Sequence, residues 1–295
     1  MHTDPFSKYH PAVNFLYFLG AIAFVVVFQH PAYLIAGCIL GGAYFLLLKG
    51  RKAWKQFLYF IPVFVVLALI NPIFNTRGQT ILFFLFGRPY TLQALWYGIA
   101  VAGVFVGMLL WFGCYNVVLT SDKFTALFGA KLPSLSLLLV MVLRLIPNFT
   151  RKAKQILDAR NAIGMGIDSG TRKQKVRSGL TALSALTTWA LEGSITTADS
   201  MRSRGYGSGK RTSFQLYKME LRDYMMLCVL LILAGITLAS SLSGSTAVTF
   251  IPVYQATPIS GFYSIGFISY CIYLLIPTIL YGKEALQWQI FKSKI

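Results

Sequence analysis

The chain has 295 residues, of which 56% are hydrophobic and only 12% charged, with a mean hydropathy of +0.63. A soluble domain carries about 25% charged residues, so the composition excludes an ordinary soluble protein and points to the membrane class. The net charge of +18 suits nucleic acid, anionic lipid or an acidic protein partner alike, and the position of the charges decides among them.

Residues 12–28 form a first apolar run, preceded by the single basic residue Lys8 and lacking a small-residue cleavage site, which predicts a retained span rather than a signal peptide. Pro31 restarts the chain into a second run, 32–48, so the two make a tight helical hairpin. Lys49, Arg51, Lys52 and Lys55 cluster before a third run, 56–70. Residues 71–91 read as a polar-edged loop whose apolar middle, 81–86, dips toward the membrane interface. The fourth run, 92–119, holds Gly98, Gly103, Gly107 and Gly113, a density that lets neighbouring helices approach closely in lipid.

From 120 to 223 the character changes, for this insert holds 17 of the 27 Lys and Arg and seven of the nine Asp and Glu. The fifth and sixth runs, 224–242 and 262–281, return to the apolar pattern, and the loop 243–261 carries no charge. The positive-inside rule then puts the Lys49 to Lys55 connection, the insert and the tail with Lys283, Lys292 and Lys294 in the cytoplasm. Six spans with both termini inside satisfy all three placements. Each Lys or Arg near anionic headgroups adds about 1 kcal/mol of attraction, so anionic lipid is an expected partner at that face. The same rule accounts for the basic insert without nucleic acid.

Within the insert, 132–146 is apolar almost all round but at about 1.5 Å per residue is short for a span. It predicts a helix lying along the inner face, with Arg144 snorkelling to water and Pro147 ending or bending it. A second helix, 148–164, places Phe149, Ala153, Ile156, Arg160 and Ile163 on one stripe. A third, 179–204, stacks Leu183, Leu186, Ala190, Ser194, Ala198 and Met201 in the same way, and most of both stripes is expected to be bundle core. Core does not explain the arginine-centred element at the end of each helix, Asp158-Ala159-Arg160-Asn161 and Arg202-Ser203-Arg204-Gly205-Tyr206-Gly207. Glycine just beyond each suits a left-handed cap.

Chemistry finds little purchase. Cys38, Cys114, Cys228 and Cys271 are scattered singly in apolar runs, and His2, His10 and His30 lack zinc spacing, so no metal or other cofactor is assigned. A phosphate loop fails at Arg204 and Arg211, where a Walker motif needs Gly and Ser or Thr. The spans contain no carboxylate, histidine or lysine, which argues against both an enzyme and an ion-coupled carrier.

Asn71-Pro72-Ile73-Phe74-Asn75, Gly78, Thr91-Leu92-Gln93-Ala94-Leu95, Thr120-Ser121-Asp122-Lys123, Met141-Val142-Leu143-Arg144-Leu145-Ile146-Pro147 and the two arginine elements resemble the transmembrane (T) component of energy-coupling-factor (ECF) transporters. The family's paired motifs read Ala-Arg-Gly or Ala-Arg-Ser; here they stand as Ala159-Arg160-Asn161 and Ser203-Arg204-Gly205, each departing at one position and keeping its arginine. The resemblance implies an all-α polytopic membrane protein, with cytoplasmic coupling helices seated on two ABC-type ATPases and holding a small membrane-embedded substrate-binding (S) subunit for vitamin or transition-metal uptake. By that resemblance Ala159, Arg160, Asn161, Ser203, Arg204 and Gly205 dock the ATPases, and Leu135, Leu138, Leu139 and Val142 contact the S subunit.

The expected organisation is about four membrane helices in 1–119, the coupling region in 120–223, and about two membrane helices with a basic tail in 224–295. The expected setting is a bacterial plasma membrane, and the expected role is a non-catalytic transducer. The rival is a membrane-integral enzyme of lipid or cell-wall metabolism holding phosphates on its basic face, which requires clustered carboxylates or a histidine there. A structural adaptor without ATPase partners is the third reading.

Overall fold

The computed structural model describes residues 4–75, 78–85, 88–129, 133–166, 171–209, 217–250 and 254–293. The chain is all-α in class, with nine helices among the described residues: α1 (Pro11–Val27), α2 (Pro31–Lys49), α3 (Arg51–Phe74), α4 (Leu92–Val118), α5 (Ser121–Gly129), α6 (Pro133–Ala162), α7 (Arg172–Ser203), α8 (Leu221–Leu242) and α9 (Phe262–Ser293). Among the described residues five stretches are long and apolar enough to cross a membrane: Pro31–Lys49, Ala53–Phe74, Leu92–Val118, Leu221–Leu242 and Tyr263–Trp288. The sixth apolar helix, α1, is shorter at 17 residues. All six expected apolar runs are helical.

By contacts the chain divides into two compact units, Met1–Phe124 with Tyr217–Ile295, and Thr125–Leu216. In the first unit α1 is the innermost helix, with Val13, Tyr17, Phe18, Ala21 and Val25 fully buried. Its start, like that of α2, is set locally: Pro11 and Pro31 stand at the first helical position, where a missing N–H costs nothing. The rings of His10 and His30 accept from the amides of Ala12 and Ala32 at 3.2 and 3.3 Å, so both histidines are helix caps.

Aromatic side chains with polar tips hold this unit together by entering glycine notches. Trp111 of α4 donates from Nε1 to the Gly37 carbonyl (3.1 Å), and a Cβ on Gly41, one turn further along α2, would sit 2.7 Å from that nitrogen. Tyr270 of α9 donates to the Tyr33 carbonyl (3.2 Å) beside Gly37, and Tyr273 to the Tyr17 carbonyl (3.0 Å) beside Gly20. In each case the glycine lies three or four residues beyond the accepting carbonyl, so the absent side chain opens that carbonyl to a ring from another helix. No water in hydrocarbon would satisfy those donors, and the notch does so instead. The glycines of α4 also pack closely, Gly98 against the Ala68 carbonyl, Gly107 against Val25 and Gly113 against Phe45.

At the end of the unit where α1 and α8 begin, a polar network ties the N-terminal segment down. Lys8 pairs with Glu284 at 2.7 Å, Arg222 lies over the Tyr9 ring, and the His10 amide donates to Asp223. Lys123 of α5 donates to the Ser7 carbonyl, to Ser7 Oγ at 2.7 Å and to the Val118 carbonyl at 3.1 Å. Tyr44 donates to Asp4 at 2.7 Å. Burial pushes the Asp4 carboxyl up and the Lys123 ammonium down, and their mutual attraction works against both shifts.

Two expectations of local structure are corrected. Residues 71–91 are not a plain loop: α3 continues to Phe74, and Ile81–Leu85 (β1) pairs antiparallel with Arg88–Thr91 (β2). Ile81-Leu82-Phe83-Phe84-Leu85 is too short for a helix and rich in strand formers, and Phe83 stacks on Tyr90 with ring centroids 4.6 Å apart. Phe86 lies outside the described residues. A second small hairpin pairs Val248–Thr249 (β3) with Gln255–Ala256 (β4) in the 243–261 loop.

The other correction concerns Pro147, which does not end its helix: α6 runs unbroken from Pro133 to Ala162. Proline removes the donor that would meet the Leu143 carbonyl, one bond out of the many of a 30-residue helix, and the turns on either side continue. Thr150 Oγ1 reaches the Ile146 and Pro147 carbonyls at 3.1 and 2.9 Å, and Arg151 Nε the latter at 3.3 Å.

Candidate functional site

The second unit is built on α6 and α7, and the two helices pack antiparallel. Phe149 meets Trp189 edge to face at 5.6 Å, Lys152 lies over the same indole, and eleven residues further along α6 Arg160 meets Ser178. Residue numbers climb on one helix as they fall on the other. The two arginine elements therefore sit at opposite ends of the pair, with roughly 38 Å of α7 between Ser178 and its last residue at 1.5 Å per residue.

Both ends close with the same hydrogen-bond pattern. On α6, Met165 N–H donates to the Arg160 carbonyl (2.9 Å) and Gly164 N–H to that of Asn161 (3.0 Å), with Gly164 at φ +74°. On α7, Tyr206 N–H donates to the Met201 carbonyl (3.0 Å) and Gly205 N–H to that of Arg202 (3.0 Å), with Gly205 at φ +79°. Each is a Schellman cap, in which glycine takes the left-handed conformation that satisfies the last carbonyls of the helix. The reading of these glycines as caps holds.

The two arginines differ in what they do. Arg160 is half-buried, and its Nε and Nη2 donate to Ser178 Oγ at 3.4 and 3.2 Å, while that hydroxyl donates to the Met165 carbonyl at 2.6 Å. Its guanidinium thus closes the turn between α6 and α7. Arg204 stands at the cap of α7 in exposed surroundings, with Arg202, Ser203, Gly205 and Tyr206 exposed beside it. Ala159 and Asn161 are exposed on α6. Ser178 is a residue that sequence reasoning passed over, since nothing local marks a serine 18 positions away as the partner of Arg160. A double-mutant cycle of Arg160→Ala and Ser178→Ala, read as melting of the purified protein in detergent, is expected to give a coupling of about 0.5–1.5 kcal/mol. Additive losses would show that the bond contributes nothing.

On the α7 stripe expected as bundle core, Leu183 (58%), Ser194 and Ala198 are exposed while Leu186, Ala190 and Met201 are half-buried; off that stripe, Val176, Leu180, Leu191 and Ile195 are exposed as well. Among the described residues α6 covers one face of α7, where Ser178 and Ala182 are buried. Leu138 and Val142 on α6 are exposed and Leu139 is half-buried; the side chain of Leu135 lies outside the described residues. Exposed apolar side chains on both helices suit a membrane or protein contact.

Comparison with known proteins bears on the whole of this region. The family model described as "Cobalt transport protein", CbiQ, matches residues 6–215, which includes both helix ends. The chain is 30% identical over 197 residues to the energy-coupling factor transporter transmembrane protein EcfT of Listeria innocua, covering 61% of this chain and 74% of that one. It is 26% identical over 259 residues to the protein of the same name from Staphylococcus aureus, covering 82% and 93% respectively.

Proposed function

The chain belongs to the CbiQ family of cobalt transport proteins, the transmembrane component of ECF transporters, and on that premise we propose that it couples two ABC-type ATPase subunits to a small membrane-embedded substrate-binding subunit. The termini and the α6–α7 pair lie on the cytoplasmic side, where the basic residues meet anionic lipid. The ATPases dock at the two capped helix ends, Ala159-Arg160-Asn161 and Ser203-Arg204-Gly205, and hydrolysis takes place in those partners rather than in this chain. The substrate is a vitamin or a transition-metal ion, selected by the partner subunit.

The observation that carries this reading is the placement of two identically capped ends at opposite extremes of one helix pair. A rigid rod with a handle at each end converts closure of two motor subunits into a tilt of the rod. The exposed Leu138 and Val142 and the half-buried Leu139 of α6, with the exposed apolar residues of α7, offer the substrate-binding subunit a surface that follows the tilt.

Co-expression of the chain with candidate ATPases and purification in detergent tests it. The expected particle contains two ATPase subunits and one small hydrophobic protein per chain, hydrolyses ATP, and takes up substrate when reconstituted in vesicles. A chain that purifies alone with an activity of its own would replace this reading with the enzyme.

A further inference from the structure

Resting on the cytoplasmic placement of the termini, we propose that the membrane unit holds one anionic phospholipid by its phosphate, in a cavity where Lys8, Arg222 and Lys283 stand over an apolar floor. The cavity joins the N-terminal segment, the start of α8 and the last turns of α9. This is a discrete site for a single molecule, distinct from the diffuse attraction of a basic face for anionic headgroups.

The cavity measures about 610 Å3, within the range that takes a small ligand, and Tyr9, Leu280 and Trp288 give it a mostly apolar lining. Its charges do not cancel. Lys8 is paired with Glu284 at 2.7 Å, the one carboxylate of the described lining, so Arg222 and Lys283 leave two positive charges over. Arg222 lies 4.7 Å over the Tyr9 ring, and the Glu220 carboxylate stands 3.9 Å from it, too far for a hydrogen bond. Lys283 is exposed, with no hydrogen bond or ion pair among the described residues. A phosphodiester between these two side chains would receive charge-assisted bonds from a guanidinium fork and an ammonium, donors that no carboxylate of the cavity takes.

The surface of α9 below the cavity says what else the anion carries. Ile279, Ile272 and Ile265 precede Lys283 by 4, 11 and 18 residues, each near a whole number of turns at 3.6 residues per turn, so all three share its side of the helix. All three are exposed. A phosphate held at Lys283 thus has beneath it an apolar strip running roughly 27 Å along the helix, ample for an acyl chain that crosses one leaflet of a core about 30 Å thick. Trp288, 58% exposed, stands at the same end, and indole rings settle at headgroup level. A free phosphate would use neither the strip nor the floor. A zwitterionic choline headgroup would bring a cation against the two surplus positive charges, which disfavours it.

Native mass spectrometry of the full chain, purified in detergent, stripped of lipid and titrated with phosphatidylglycerol or phosphatidylcholine, tests the site. One phosphatidylglycerol per chain is expected to bind at least tenfold more tightly than phosphatidylcholine and to raise the melting temperature. Lys283→Gln is expected to weaken it at least tenfold, Lys283→Arg to keep it, and Arg222→Gln to weaken it as well. Lys292→Gln removes a cation from the same tail outside the cavity lining and is expected to change nothing. Equal losses from Lys292→Gln and Lys283→Gln, or phosphatidylcholine bound as tightly, would overturn the site in favour of diffuse attraction. Displacement of phosphatidylglycerol by millimolar inorganic phosphate would overturn the lipid assignment in favour of a free anion. A C-terminal tag reached by protease from outside intact spheroplasts would overturn the cytoplasmic placement itself, a result separate from the lipid count.

Discussion

Arg204→Ala is expected to leave the protein in the membrane at normal abundance and to strip one ATPase from the complex, with uptake falling at least thirtyfold. The side chain stands exposed at the cap of a 32-residue helix, so among the described residues its removal touches no core contact. A guanidinium offers five donors in a rigid fork, and burying that fork against carboxylates or carbonyls of a partner makes it a site of high energetic weight. Truncating one side of a buried, hydrogen-bonded charged contact costs about 2–5 kcal/mol, and each 1.4 kcal/mol is tenfold in affinity. Arg204→Lys keeps the charge and loses the fork, and is expected to fall between the two. Full ATPase retention and uptake in Arg204→Ala, checked by pull-down and vesicle assay, would show that α7 does not end in a handle. The single change at Arg160 is expected to have the smaller effect on docking, because its donors are already engaged by Ser178.

The second large effect lies in the membrane unit. Gly41→Leu is expected to abolish a monodisperse protein in detergent. A Cβ there would stand 2.7 Å from Trp111 Nε1 and 3.0 Å from Cε2, and Trp111 is fully buried, so the indole has nowhere to retreat. Displacing it breaks the bond to the Gly37 carbonyl, leaving donor and acceptor unpaired at about 1–3 kcal/mol, and the overpacking adds about 1–3 kcal/mol more. Together these approach the roughly 5–15 kcal/mol margin of a folded protein. Gly103→Ala is the matched control: its Cβ would meet only Leu34 Cδ1 at 3.9 Å, an ordinary contact, and the variant is expected to behave as the parent. Gel filtration of the two in parallel checks the contrast, and a well-behaved Gly41→Leu would refute the notch.

Much of the architecture was legible because it depends on residues close in the chain. The apolar runs became helices, with α1 shorter than the others. The glycines after each arginine element became left-handed caps, since the Schellman bonds span only five residues. The 81–85 hairpin was missed because five apolar residues suit a strand and a membrane-dipping loop alike until the partner strand is known. At Pro147 ending and bending were both open, because a proline costs a helix one backbone bond and the packing around it decides whether the turns on either side continue.

The amino-acid order alone therefore determined which apolar runs are helices and that both rods end in glycine caps, because those outcomes rest on periodicity and on hydrogen bonds a few residues long. Only the folded chain decided which arginine is engaged and which is exposed, since Arg160 is held by Ser178 on the next helix. It also decided which ring enters which notch, for Trp111 and Gly37 lie 74 residues apart and Tyr270 and Tyr33 lie 237 apart. Contacts at that range depend on how helices stack, and stacking is a property of the surfaces together.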